Sequence, residues 1–397
     1  MMGYANQNAA MNPRAYVSSQ PLVFGHAVSQ VDGIGWMKAA LQSGDSVSAP
    51  GTERALRFYD LLLRVSAIGS RTTCLDDYTH LDWDRMRVHV APISGDGQVV
   101  ADSSQWRQAS LDARMEVFAE TALKLARVAF RADAEAPDLL VQVSCTGYDS
   151  PTAVQRVAVE KGWRNTRILH LGHMGCYAAL PAVAMAADNV GAHRFLTTTS
   201  NPLAHSNAAI FLVELCTLHH NPATTDVEQI VQQCLFADGA VRVDVTSEPM
   251  AGSFGLLDHA EALIPDTLDE MTWRVADSAF RMTLSRRIPQ HINDNLGRVV
   301  QRFLGKNGLV VDDVRWWAVH PGGPRVIEST AEALELSEEA VRHSKQVFYE
   351  RGNMSSTTIP HIWAAMSADE EVASGDLVCS VAFGPGLTVA VNLMQVT

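Results

Sequence analysis

The sequence predicts a layered α/β fold assembled from two halves of similar element order. Three features carry that expectation. Short apolar runs such as LLVQVS and RILHLG have the length of buried strands, and they alternate with segments whose apolar residues recur every three or four positions, as in amphipathic helices. Several of these runs break in glycine-containing turns, at CTGYDSP, GHMG, HPGGP and FGPG. The order of strand, glycine turn and helix found in the first half returns after residue 310, although no sequence repeat is detectable. The expected division falls near residue 240, giving an N-terminal half over 1–240 and a C-terminal half over 241–397.

In chain order, residues 1–20 are polar and expected to be loose, and PLVFGHAVSQ offers the first strand. ERALRFYDLLLRVSAI is a helix, and residues 75–105, with DDYTHLDWD and PISGDGQ, read as surface connections. LDARMEVFAETALKLARVAF is an amphipathic helix leading into the strand of DLLVQVSCTGYDSP. A further helix, AVQRVAVEKGW, precedes the stretch around which the chain is organised, RILHLGHMGCYAALPAVAMAADNV: a strand, a tight turn and an Ala-rich helix opened by Cys176. The polar segment Thr197 to Asn207 reads as an insertion, AAIFLVELCTLHH as a strand, and CLFADGAVRVDVTSEP as a turn at Asp238–Gly239 followed by another strand. Residues 271–309 begin extended and continue as helix; VRWWAVH is a strand, and SVAFGPGLTVAVNLM closes the chain as a hairpin.

Composition narrows the function. The chain has 397 residues, 47% apolar and 19% charged, which is ordinary for a globular protein with a sizeable core. No apolar run approaches the roughly 18 residues of a membrane span, and MMGYANQNAAMNPRAY lacks the apolar centre of a secretory signal, so a cytoplasmic location is expected. Cys74, Cys145, Cys176, Cys216, Cys234 and Cys379 show no CxxC pairing, which argues for reduced thiols and against a zinc site. A formal net charge of −13 offers no footprint for nucleic acid.

Three residues in turn or strand-end settings form a chemically coherent set. A thiol in the first turn of a helix meets unpaired N–H groups and the positive end of the macrodipole, which favour thiolate, so Cys176 is a candidate nucleophile with an expected pKa below the usual ~8.5. His320 closes VRWWAV before Pro321, Gly322 and Gly323, and Asn353 sits in RGNMSS. Imidazole pairs with a thiol, and imidazole and carboxamide both donate to a thioester oxygen or an enolate. Each residue singly also reads as structural: a small core Cys, a packed His, a turn Asn. Cys, His and Asn in that order also describe papain-like proteases, but the signature around a papain nucleophile is absent and the Cys lies mid-chain.

Together, GHMGCYAALPA, CLFADGA, WWAVHPGGP, RGNMSS and AFGPGLTV resemble the chalcone synthase, or type III polyketide synthase, family of thiolase-like condensing enzymes, from about Leu111 to the C-terminus. The resemblance implies a thiolase-like αβαβα layered fold from two duplicated halves and a homodimer. It also implies Cys176 as the acyl-carrying nucleophile, His320 and Asn353 as the decarboxylation pair, and Phe236 as a gatekeeper between tunnel and cavity. No metal or redox cofactor is implied; the substrates would be thioesters of coenzyme A or of an acyl carrier protein.

Departures from the family bear on substrate. Cys216 and His219 stand where plant members carry cavity-lining threonines; His219 narrows the cavity, hydrogen-bonds a polyketide carbonyl by a titratable ring, or is simply packed. Gln232 replaces a small residue and Met282 a second gatekeeper Phe, a more deformable wall suited to an alkyl chain. Ala237 stands for a Gly, and Ser150 for a Met that reaches across the dimer. The entrance, basic in plant members, supplies Arg64 and Arg71, with Arg325 either a further phosphate contact or a solvated side chain. The expected activity is therefore decarboxylative Claisen extension of a Cys-bound acyl group by a malonyl-type thioester, giving an alkyl α-pyrone or resorcinol. The alternative is a stand-alone ketosynthase joining two carrier-bound β-ketoacyl chains into an α-pyrone, as in antibiotic biosynthesis. A binding protein that kept the fold and lost the chemistry would lack one of Cys176, His320 or Asn353, and all three are present.

Overall fold

Strand β8 shows how the sequence builds layers. Along Asn207–Leu215, Ala208, Ile210 and Leu212 enter one core while Ala209, Phe211 and Val213 enter another, so an apolar run with a period of two covers helices on both faces. The computed structural model describes residues 12–42, 50–82, 85–90, 107–108, 110–197, 206–277 and 279–397.

In chain order the elements are β1 (Ala15–Pro21), β2 (His26–Ser29), α1 (Gln30–Gln42), α2 (Pro50–Arg64), β3 (Ser70–Thr73), β4 (His89–Val90) and β5 (Arg107–Gln108). Then come α3 (Leu111–Ala129), β6 (Leu139–Ser144), α4 (Ala153–Lys161), β7 (Arg167–Gly172), α5 (Ala179–Thr197), β8, α6 (Val227–Leu235) and β9 (Asp238–Thr246). The rest are β10 (Phe254–Leu263), β11 (Met271–Val275), β12 (Phe280–Leu284), α7 (Ile288–Lys306), β13 (Trp316–Val319), α8 (Pro324–Leu334), α9 (Arg342–Arg351), α10 (Thr358–Ser367), β14 (Leu377–Gly384) and β15 (Thr388–Val396).

Nine strands form one sheet in the order β13-β14-β15-β10-β1-β9-β8-β6-β7. β6 pairs in parallel with β7 and β8, β13 in parallel with β14, and the remaining neighbours are antiparallel. Both ends of this sheet lie against α5, and α10 packs on β1, β9 and β13. The first half of α5 is apolar, and its small side chains, Ala182, Ala186 and Ala187, let β6, β8 and β9 approach from one side and β10 and β15 from the other. The outer faces are covered by α1–α4 at the β6–β8 end and by α7 and α8 at the β13–β15 end. The result is five layers, helix–sheet–helix–sheet–helix, as expected. The proposed division after Ala240 falls within β9. No helix among the described residues is long and apolar enough to cross a membrane.

Several local expectations are corrected. Residues 15–21 are not loose but form β1, which sits inside the sheet between β9 and β10. PLVFGHAVSQ holds the last residue of that strand, a bend and β2. Asp238–Gly239 begins β9 rather than making a turn, and β10, interrupted by Asp258, His259 and Glu261, was not legible as a strand. α6 was missed ahead of it. Within the Thr197–Asn207 insertion, residues 198–205 lie outside the described residues, as does much of 75–105; Thr197 ends α5 and Asn207 begins β8.

The turns that carry the site are tight. Gly175 has φ +87°, and a Cβ there would lie 2.6 Å from Pro385 Cδ in the β14–β15 turn. Gly175→Ala therefore meets both backbone strain and a clash across the two halves, and costs about 1–3 kcal/mol from strain alone. Urea unfolding measures this; an unchanged midpoint would show that the two turns separate freely.

Candidate active site

Cys176 lies three residues before α5, in the turn that follows β7. His320 follows β13, and Asn353 follows α9, so strand ends of both halves converge, the usual place for ligands in sheets of this type. The three side chains line one cavity of about 340 Å³ together with Phe236, Met282, Leu235, Leu284, Val326 and Phe383. A second cavity of about 250 Å³ begins on the other side of Phe236. Cys176, Phe236, Met271 and Met282 belong to both, so one thiol faces two chambers separated by an aromatic ring and two methionines.

Hydrogen bonding leaves the reactive atoms unoccupied. Asn353 Oδ1 accepts from the Ser355 N–H at 2.9 Å, which fixes the carboxamide and turns Nδ2 to a position with no partner in the described structure. His320 is 1% exposed, and neither ring nitrogen has a partner. Buried donors without partners are costly, about 1–3 kcal/mol each, and persist where a ligand supplies the missing acceptor. Burial pushes the His320 pKa down to about 3, so the ring is neutral, with one N–H and one lone pair.

The Cys176 thiol departs from expectation. Burial pushes its pKa up to about 12; the carboxylate of Glu214 adds to the rise, while the polar side chains of Ser355 and Asn353 beside it oppose it. The expected depression fails because helical geometry begins only at Ala179, and because the thiol is 6% exposed among Cys216 and Phe236. Desolvation of a full charge outweighs a few partial ones.

Glu214, unassigned from sequence, is the hub beneath the thiol. Its fully buried carboxylate accepts from the Cys145 N–H and Thr146 Oγ1, both at 2.9 Å, from Ser356 Oγ at 2.5 Å and from Ser355 Oγ at 3.4 Å. Burial raises its pKa against those bonds. The available signal was a lone Glu in the buried run AAIFLVEL. Cys145, also passed over, accepts at Sγ from the Gly175 N–H at 2.9 Å and shapes the turn that carries Cys176.

Of the cavity residues named from sequence, Cys216 and His219 lie in a 3-10 turn after β8, not in the strand. His219 does line the second cavity, but its Nε2–H donates to the Thr146 carbonyl at 2.7 Å and its Nδ1 accepts from the Phe280 N–H at 3.1 Å. Burial holds its pKa near 3, so it is a neutral wall stacked on Phe280 at 4.4 Å rather than a titrating group. Trp273 completes that wall, its Nε1–H donating to the Cys145 carbonyl at 2.6 Å. Gln232 ties α6 to β12 by donating to the Met282 carbonyl at 3.1 Å.

The entrance residues divide. Arg325 is exposed and lines the first cavity's mouth, joined there by Arg286, which sequence reasoning missed. Arg64 is exposed but lines neither cavity. Arg71 is not at the entrance: it is 8% exposed and donates to Gln30 Oε1 and to the backbone carbonyls of Gln233 and Phe236.

The chain is similar to known proteins in sequence and in fold. The family profile described as chalcone and stilbene synthases, C-terminal domain, matches residues 256–397. The chain is 29% identical over 255 residues to 1,3,6,8-tetrahydroxynaphthalene synthase of Streptomyces griseus, covering 64% of this chain and 65% of that one. It is 30% identical over 305 residues to the alpha-pyrone synthesis polyketide synthase-like protein of Mycobacterium tuberculosis, covering 72% of this chain and 74% of that one. The crystal structure of PKS-I from the brown alga Ectocarpus siliculosus superposes with a TM-score of 0.78 at 27% identity, over 96% of this chain and 99% of that chain.

With its pKa raised, Cys176 is protonated at neutral pH, and its thiolate fraction grows tenfold per pH unit below that pKa. Alkylation of the resting protein by iodoacetamide, followed by intact mass, should accelerate steadily from pH 7 to 10. A rate already at its plateau below pH 7 would show a thiolate–imidazolium pair instead.

Proposed function

Because this chain belongs to the type III polyketide synthase family, that of the chalcone and stilbene synthases, we propose that it is a condensing enzyme of acyl thioesters. The observation that carries this reading is the burial of His320 and of the Asn353 Nδ2 with no partners, beside a thiol that opens to two cavities. Cys176 attacks the thioester carbonyl while its proton passes to the neutral His320; the carrier thiol leaves with a proton and an acyl-enzyme remains. A malonyl thioester then enters through the tunnel and its carboxylate–carbon bond breaks, releasing CO2. The electron pair goes to an enolate whose oxygen accepts from one N–H of His320 and from Asn353 Nδ2. The enolate carbon attacks the acyl carbonyl, a carbon–carbon bond forms, and the Cys176 sulfur departs. These steps draw on side chains and substrates alone.

The chamber beyond Phe236 receives the growing chain. Its aromatic wall and its volume of about 250 Å³ favour a product of few extensions, an alkyl α-pyrone or a resorcinol. An α-pyrone accords with the Mycobacterium tuberculosis relative, whose name describes α-pyrone synthesis. Pairing of two copies is supported by β7, a sheet-edge strand whose outer side has no neighbour among the described residues. A second reading, carrier-borne donors, is favoured by the cavity's lining: Val65 there is 63% exposed, and among the described residues only Arg286 and Arg325 line it as arginine or lysine. Equal rates on coenzyme A and carrier-protein donors would remove the reason for preferring it.

Incubation with acyl thioesters should give a mass adduct on the wild type and none on Cys176→Ala. Asn353→Ala should still load, while CO2 release from malonyl thioester falls by about 10²–10³. Equal loss of loading and decarboxylation in that variant would make Asn353 structural, and no adduct or CO2 from the wild type would sink the proposed reaction.

A further inference from the structure

The end of α6 is organised around a buried cation. A helix leaves its last carbonyls without intrahelical partners, and here those flanking Phe236 are all claimed from outside. Arg71 Nη1–H donates to the carbonyls of Gln233 at 2.6 Å and Phe236 at 2.8 Å. Gln30 Nε2–H donates to that of Cys234 at 2.9 Å, and Gln30 Oε1 in turn accepts from Arg71 Nε at 2.8 Å. The remaining carbonyl, of Leu235, accepts from the Asn353 N–H at 2.9 Å, and the Asn353 carbonyl accepts from the Ala237 N–H at 2.8 Å. Phe236 and Asn353 thus ride on one two-bond bridge.

The stem of Arg71 reaches the same bridge from the other side. Gly352 has φ +70°, and a Cβ there would lie 2.9 Å from Arg71 Cγ and 3.0 Å from the Leu235 carbonyl oxygen. Arg71 therefore touches the residue before Asn353 with its methylenes and the carbonyl of Phe236 with its guanidinium. A planar fork spans three acceptors at once, which a lysine ammonium at one point does not.

We propose that Arg71 is a positioning residue for the condensation: its fork and stem together set the Asn353 carboxamide and the Phe236 ring relative to Cys176. This rests on the condensing reaction proposed above. Loading requires Cys176 and His320, carried by the β7 and β13 turns; decarboxylation and extension require Asn353 and the gate, carried by the clamped bridge. The clamp acts on the second stage and leaves the first alone. A merely structural Arg71 would depress both together, in proportion to the folded fraction.

The test is Arg71→Lys, assayed beside wild type for loading by intact mass, for CO2 release from malonyl thioester and for product length. Loading is expected near the wild-type rate, with CO2 release down by about 10², the scale of a misplacement near 1 Å, and a changed product distribution. Gln30→Leu, which removes one acceptor of the clamp without touching the charge, should shift the same ratio in the same direction by a smaller factor, and it carries the test if Arg71→Lys does not fold. An unchanged ratio of the two rates in these variants, with wild type active in both, overturns the inference. Wild type inactive in both stages would instead overturn the reaction on which it rests.

Discussion

Burial of unpaired polar atoms is the constraint on which this structure depends. Both ring nitrogens of His320 and the Asn353 Nδ2 are held away from water with no partner, at a cost of about 1–3 kcal/mol for each lost hydrogen bond. That sum is comparable with the whole net stability of a typical domain, about 5–15 kcal/mol, so the surroundings must hold the groups by other means. The means are visible: strands apolar on both faces, the buried alanines and valines of α5 between them, and turns fixed by Gly175 and by the Ser355 N–H to Asn353 Oδ1 bond.

The same burial sets the electrostatics. Removing water costs a charged form more than a neutral one, so the Cys176 pKa is pushed up and that of His320 down, and the pair rests neutral. Glu214 reinforces that state. Its carboxylate gathers four donors from Cys145, Thr146, Ser355 and Ser356, which orders the floor of the site, but its charge opposes thiolate formation just above. A neutral pair suits a reaction in which the proton moves during attack and the imidazole afterwards presents one N–H to a developing oxyanion.

Geometry divides the labour between the halves. The candidate nucleophile, Cys176, comes from the β7–α5 turn, the His320 imidazole from the end of β13, and the Asn353 carboxamide from the turn after α9. Phe236 and Met282 stand where the two cavities meet, and β11–β12 forms the roof of the second through Met271, Trp273 and Phe280. A flexible thioether beside a fixed ring makes a wall that yields on one side only.

The motifs around Cys176, His320 and Asn353 were legible because each couples a candidate reactive residue to a local backbone demand that glycine or proline meets. Most helices and strands were legible by period, and β1 and β10 were not, because polar residues sit in them and only the flanking strands reveal their pairing. The place of Arg71 was decided by tertiary structure alone: arginine after a helix reads as surface, and nothing local shows that three acceptors of α1 and the end of α6 converge on it. The same holds for the charge state of the site. Sequence determined the fold and singled out Cys176, His320 and Asn353 as the candidate set within it. How far water is excluded from the Cys176 thiol, and hence the direction in which its pKa moves, is a property of everything packed around it, and only the assembled layers decide that.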